Sequence, residues 1–190
     1  SGAEETIFLY VGSGFARKGV GALTRAAVRL ARTGAKFRVV VVGKGDAGPY
    51  RRILREGGAE GRVHFTGPVA GAAEYLLGAD AFVFPTIYEP FSNACLEAMA
   101  AGLPVVTTAV NGASEVLRDG VSGFVVDDPL DDAGVAARME ALLSADTRRR
   151  MGEEARRAAA ALTPERNAEE TLSVLEEAWR KKAGPGGGAR

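Results

Sequence analysis

Six short apolar runs recur along the chain, at residues 7–11, 37–42, 63–65, 81–84, 105–107 and 123–125. Each is rich in Val, Ile or Phe and is bounded by Gly, Pro or Asp, as strands are. A strand with one wet face alternates apolar and polar residues. Runs that are apolar throughout suit strands covered on both faces, the usual case in a parallel sheet. Between the runs lie helical patterns. Leu23, Ala26, Ala27 and Leu30 share one helical face, Arg25, Arg29 and Arg32 fall elsewhere, and Gly34 supplies a stop. Further helices are expected over 49–56, opened by Pro49 and closed by Gly57-Gly58, and over 72–77, 92–101, 132–143 and 147–161. A last helix has Thr163 as N-cap and Pro164 in its first turn, with Leu172, Leu175 and Trp179 as one apolar stripe. Strand–helix units repeated in this way, with right-handed crossovers, predict a doubly wound α/β domain around a parallel sheet.

Bulk properties narrow the function. The chain has 190 residues, enough for one well-packed domain, expected over 1–182, with 183–190 as a disordered tail. Lys+Arg and Asp+Glu both number 24, so the formal net charge is zero. A nucleic-acid binder carries a basic excess, so nucleic acid is not an expected partner. No apolar run approaches the ~20 residues of a membrane-spanning helix, and the N-terminus does not resemble a secretory signal. The single cysteine, Cys95, excludes an intrachain disulfide and a multi-cysteine metal site, and reads as a buried small residue. The single histidine, His64, reads as structural or pocket-lining. The first strand starts almost at once, so a domain cut from a longer protein is at least as natural a reading as a complete one.

Chemistry concentrates in Tyr88-Glu-Pro-Phe-Ser-Asn-Ala-Cys-Leu-Glu97. Glu89 is expected at a loop-to-helix junction and Glu97 two turns along the helix, both facing the crevice where open parallel sheets bind ligands. The first-turn N–H groups around Phe91, Ser92 and Asn93 would point at whatever lies beside Glu89. Glu97 sits among Ala94, Cys95, Leu96, Ala98 and Met99, and a carboxylate buried in such company needs a hydrogen-bonding partner. The plainer reading makes both acids ordinary helix residues. After the first strand comes Gly12-Ser-Gly-Phe-Ala-Arg-Lys-Gly19, where glycines allow close approach and Arg17 and Lys18 suit phosphate. The same loop also reads as a tight turn with two solvated cations. The dinucleotide fingerprint is not met, because its third glycine position is Arg17. A second glycine-rich loop, Gly43-Lys-Gly45, opens on the same sheet edge, and Lys44 reads as solvated.

These motifs, continued by Ala98-Met-Ala-Ala-Gly-Leu-Pro-Val-Val106, Gly112-Ala-Ser-Glu115 and Asp119-Gly-Val-Ser-Gly-Phe-Val125, closely resemble the C-terminal domain of GT-B-fold retaining glycosyltransferases, group one or family four of that classification. The likeness runs from about Thr6 to Trp179. Within the group, the Phe8–Val20 segment looks most like the lipopolysaccharide-core glucosyltransferases. The resemblance implies a Rossmann-like domain that forms one half of a GT-B fold and binds a nucleoside diphosphate sugar, without cofactor or metal. Glu89 would contact sugar hydroxyls at the reacting centre, and Glu97 the ribose. Gly12, Ser13, Arg17 and Lys18, with amides near Phe91, Ser92 and Asn93, would hold the diphosphate, and Val69 would wall the base. Ser13 stands where many members carry arginine, and Ser92 where a glycine is usual. The acceptor-binding N-terminal half would be a separate domain, whose absence would leave this one inactive and the last helix's stripe partly exposed. Such an enzyme would be cytoplasmic, with peripheral contact at the inner membrane face through Arg180, Lys181 and Lys182, though three charges equally suit a solvated helix end. A non-catalytic nucleotide-sugar-binding module and a sugar-nucleotide epimerase on the same fold are the competing readings.

Overall fold

The computed structural model describes residues 5–183. Six strands form one parallel sheet in the order β3-β2-β1-β4-β5-β6: β1 Thr6–Val11, β2 Phe37–Val42, β3 Val63–Gly67, β4 Ala81–Phe84, β5 Val105–Thr108 and β6 Gly123–Val126. Every expected run is a strand, extended by at most two residues. The sheet is in register from Thr6↔Phe37 to Val11↔Val42, and slips by one residue between β2 and β3 beyond Val41. Burial explains why the runs read so clearly. All of β4 and β5 is buried, as are Phe8, Leu9 and Tyr10 of β1. Edgewards, β2 and β3 expose Arg38 and His64.

The helices are α1 Val20–Ala31, α2 Gly48–Glu56, α3 Ala73–Leu77, α4 Asn93–Ala100, α5 Asp132–Ala141, α6 Ala145–Ala160 and α7 Pro164–Ala183. α1 packs on α2 and α5, whereas α4 packs on α6. Right-handed crossovers put those two groups on opposite sheet faces. Helix starts are set by side-chain caps: Ser92 for α4, Asp131 for α5 and Ser144 for α6 each accept from a backbone N–H in the first turn. Capping by Ser144 starts α6 at Ala145, two residues before the expected 147. Thr163 Oγ1 accepts from Arg166 N–H at 3.2 Å, as expected for the last helix. Ala183 ends α7, and the rest of the expected 183–190 tail lies outside the described residues.

The order 3-2-1-4-5-6 reverses direction between β1 and β4. Loops leaving those neighbouring strands diverge to opposite faces and leave a crevice at the carboxyl edge. That edge carries the loops after β1, β2, β3 and β4.

Candidate functional site

The loop after β1 and the loop after β4 are stitched together across the switch point. Arg17 carbonyl oxygen accepts from Ile87 N–H at 2.9 Å and from the Thr86 hydroxyl at 3.2 Å. Arg17 Nη1 donates back to Tyr88 carbonyl oxygen at 2.6 Å. These bonds bring both cations to Glu89: Arg17 Nη1 lies 3.4 Å and Lys18 Nζ 3.3 Å from the same carboxylate oxygen. The Glu89 side chain is only 14% exposed, against 50% for Arg17. One acid and two cations therefore meet at the mouth of the crevice, from segments far apart in sequence.

Beneath Glu89 lies a buried polar platform. Glu89 forms a parallel bridge with Asn111, its carbonyl accepting from Gly112 N–H at 3.0 Å. Asn111 is fully buried; its amide donates to Thr107 Oγ1 at 2.9 Å and to Cys95 Sγ at 3.4 Å, and its Oδ1 accepts from Ala113 N–H. Thr108 Oγ1 donates to Thr86 carbonyl oxygen at 2.6 Å, and Thr107 Oγ1 to that of Phe84 at 2.8 Å. Because buried polar groups are costly when unpaired, this network fixes the β4 and β5 loops against each other. Burial pushes the Cys95 thiol up to about 11, against hydrogen bonds from its neighbours. Cys95 is thus the inert buried residue expected of it.

The Ser92 side chain is a cap and not an open ligand. It is buried, and its Oγ accepts from Cys95 N–H at 3.3 Å. Phe91 and Asn93 are exposed beside it, and Asn93 begins α4, whose first N–H groups have no acceptor within the helix. Phe91, Asn93 and Leu96 line one side of an open cavity of about 470 Å³, with Leu162, Thr163, Arg166, Asn167 and Glu170 on the other. Val69 is half-buried in the loop after β3, on the same sheet edge and two strands from β1.

Glu97 departs from expectation. It is exposed, and its carboxylate makes no hydrogen bond or ion pair among the described residues, so the burial argument for a partner does not apply. Cys95, Ala98 and Met99 occupy the buried arc of α4, and at helical spacing Glu97 falls opposite them. Its apolar sequence neighbours concealed this.

The glycines serve the protein's own packing. A side chain on Gly43, which has φ +139°, would run into the Gly12 carbonyl; one on Gly45 would enter the Phe15 ring. A Cβ at Gly12 would lie 3.1 Å from the Phe84 ring, 3.2 Å from Lys18 Cδ and 3.2 Å from Tyr10 Oη. Ser13 Oγ accepts from Lys44 N–H at 3.1 Å, and Gly14 N–H donates to Lys44 carbonyl oxygen, so the two glycine-rich loops form one unit. The Lys44 side chain is exposed and unpaired among the described residues.

Two aromatic residues of the site were not singled out in the sequence. Tyr10 and Phe84, at the carboxyl ends of β1 and β4, are fully buried and stacked 5.3 Å apart. Tyr10 Oη is buried without a hydrogen-bond partner, and burial raises its phenol far above the usual value. Aromatics at the last or second-last position of strands flanking a switch point are the signal that could have found them. His64 lies elsewhere, exposed on β3 and lining a separate cavity with Ile7, Leu9 and Val40.

The family described as glycosyl transferases group 1 matches residues 1–158. Lipopolysaccharide glucosyltransferase WaaG of Escherichia coli K12 is 32% identical over 130 residues, covering 66% of this chain and 34% of that protein. Glycogen synthase of Mycobacterium tuberculosis H37Rv is 37% identical over 142 residues, covering 71% of this chain and 33% of that protein. The crystal structure of WaaG superposes with a TM-score of 0.77 at 28% identity, over 85% of this chain and 45% of that one. The chain therefore spans about a third of the length of these curated relatives.

Proposed function

The chain belongs to the glycosyl transferases group 1 family, and from that premise we propose that it is the donor-binding half of a retaining hexosyltransferase. Its sheet is that of the GT-B glycosyltransferases. The donor is a nucleoside diphosphate sugar, UDP-linked, and the acceptor a hydroxyl of a growing cell-surface glycan such as a lipopolysaccharide core. Likeness to WaaG supports that acceptor class. Among the described residues no helix is long and apolar enough to cross a membrane. The reading places the enzyme in the cytoplasm, peripheral at the inner face of the membrane.

One observation carries the reading: Arg17, Lys18 and Glu89 converge at the β1/β4 switch point. Transfer breaks the bond between the sugar's anomeric carbon and a phosphate oxygen, and the bonding electrons leave with the diphosphate. That developing charge is what two fixed cations and the first amides of α4 are suited to stabilise. Glu89 holds sugar hydroxyls beside the breaking bond. Glu97, accessible on α4, takes the ribose, and Val69 walls the base. Donor contacts thus come from one half, and the acceptor is brought by the other.

Titration calorimetry with UDP, UDP-glucose and ADP-glucose tests this. Saturable binding of a nucleoside diphosphate is expected, weakened by Glu97→Ala even for UDP alone. Absence of binding at millimolar nucleotide overturns the reading. A preference for ADP-glucose reassigns the base and moves the acceptor towards a storage glucan.

A further inference from the structure

We propose that Phe84, backed by Tyr10, is a positioning residue that seats the Lys18 ammonium at the diphosphate site; the inference rests on the donor reading above and deepens it. Lys18 Nζ stands 5.5 Å from the centroid of the Phe84 ring, within the range where a ring quadrupole attracts a cation. The ring cannot retreat. It is fully buried at the end of β4, stacked on Tyr10 at 5.3 Å with planes 23° apart, and on Phe82 at 6.1 Å. Its carbonyl is pinned by Thr107 Oγ1.

The lysine stem is guided as well. Lys18 Cδ and Phe84 Cε2 lie 3.2 and 3.1 Å from where a Gly12 Cβ would stand. Lys18 therefore crosses Gly12 to reach the ring, and any larger residue at position 12 would push the two apart. A lysine is otherwise a flexible stem with a strongly hydrated head. Here it meets an aromatic face on one side and Glu89 on another, at 3.3 Å. Glu89 is the ammonium's one ion-pair partner among the described residues, which leaves N–H groups for a phosphate oxygen. Arg17 is held differently, through its bond to Tyr88 carbonyl oxygen, and no ring among the described residues underlies it. The neighbouring cations thus have unlike anchors, one a hydrogen bond and the other a ring face.

Replacing Phe84 by phenylalanines bearing one, two and three ring fluorines tests the seat. Shape is nearly kept while electron density over the face is drained. Inorganic pyrophosphate affinity, read by calorimetry, is expected to fall stepwise, the trifluoro ring binding about two- to fivefold more weakly. A flat or rising series overturns the proposal. The same series on a Lys18→Ala background separates coupling from general damage. There the slope should vanish, and a slope that persists assigns the ring a purely structural role and overturns the seat. Lys18→Ala by itself keeps the two readings distinguishable. If it binds pyrophosphate as tightly as the parent, the diphosphate reading fails. If it binds weakly while the fluorine series stays flat, only the seat fails.

Discussion

Arg17 and Lys18 both lie within ion-pair distance of one carboxylate oxygen of Glu89. A diphosphate entering the proposed site must compete with that oxygen for the same two cations. The sign of a Glu89 substitution therefore depends on the ligand. Glu89→Gln keeps the shape and removes the competing charge, so pyrophosphate and UDP should bind more tightly, by about two- to tenfold for a partly exposed pair. UDP-glucose should gain less or lose affinity, because the carboxylate's contacts with the sugar go too. Calorimetry on the three ligands checks this, and weaker pyrophosphate binding by the variant would remove Glu89 from the cations' competition. Residue identity, charge and order along the chain were legible in the sequence, and they pointed at Arg17, Lys18 and Glu89. Side-chain direction was not. Glu97 looked buried because its neighbours are apolar, yet the arc that packs on the sheet is narrower than that string of neighbours. Tyr10 and Phe84 were read only as strand residues, since their stacking and their hold on Lys18 are contacts between elements remote in sequence.

At the scale of elements, strands were the most legible part. Burial on both faces removes polar interruptions, so the limits of β4 coincide with those of its apolar run, and β2 keeps its limits although the exposed Arg38 interrupts it. Where a side chain caps a helix its start depends on that one residue, and α6 begins ahead of its periodic pattern because Ser144, outside that pattern, caps it; α1, α2 and α3 have no such cap. Pairing between helices is invisible to such patterns, and α1 on α5 is the instance. Asp132, in the first turn of α5, receives Arg25 Nε at 3.2 Å and Arg29 Nε at 2.5 Å from α1. Partial burial by itself would raise the Asp132 carboxyl, but hydrogen bonds from Arg29 and Arg25 outweigh it and leave its pKa below 3.8. A depressed carboxylate stabilises the fold fully above its ordinary value and loses that contribution as pH falls through the folded-state value. Asp132→Asn should lower Tm at neutral pH by about 1–4 °C, modest because the arginines are well exposed. The gap from the parent should stay constant down to the ordinary value of 3.8 and close only below it. Melting curves across that range decide the matter, and a gap that closed between pH 5 and 7 would implicate another group.

For the molecule as a whole, α7 is the element that the rest of the fold does not explain. From Glu165 to Lys182 its side chains are exposed on every side, including Leu172, Val174, Leu175 and Trp179, each more than half exposed. A helix of this length gains little from propensity without packing. Its local support is visible in the Thr163 cap and in the i,i+4 pairs Arg166–Glu170, Arg180–Glu176 and Lys181–Glu177. Such pairs contribute only about 0.2–0.5 kcal/mol each, which holds the helix without accounting for the apolar stripe. On the proposed reading an acceptor-binding half would cover it; the chain spans about a third of the length of these relatives. The stripe should then be silent here and matter in the two-domain enzyme. Leu175→Gln with Trp179→Gln should shift the Tm of this chain by no more than about 1–2 °C, as exposed substitutions do. In a protein that also carries the other half, the same pair should expose the interface, lowering Tm and transferase activity together. Equal effects in both contexts would show that the stripe packs within this domain and that the second half docks elsewhere.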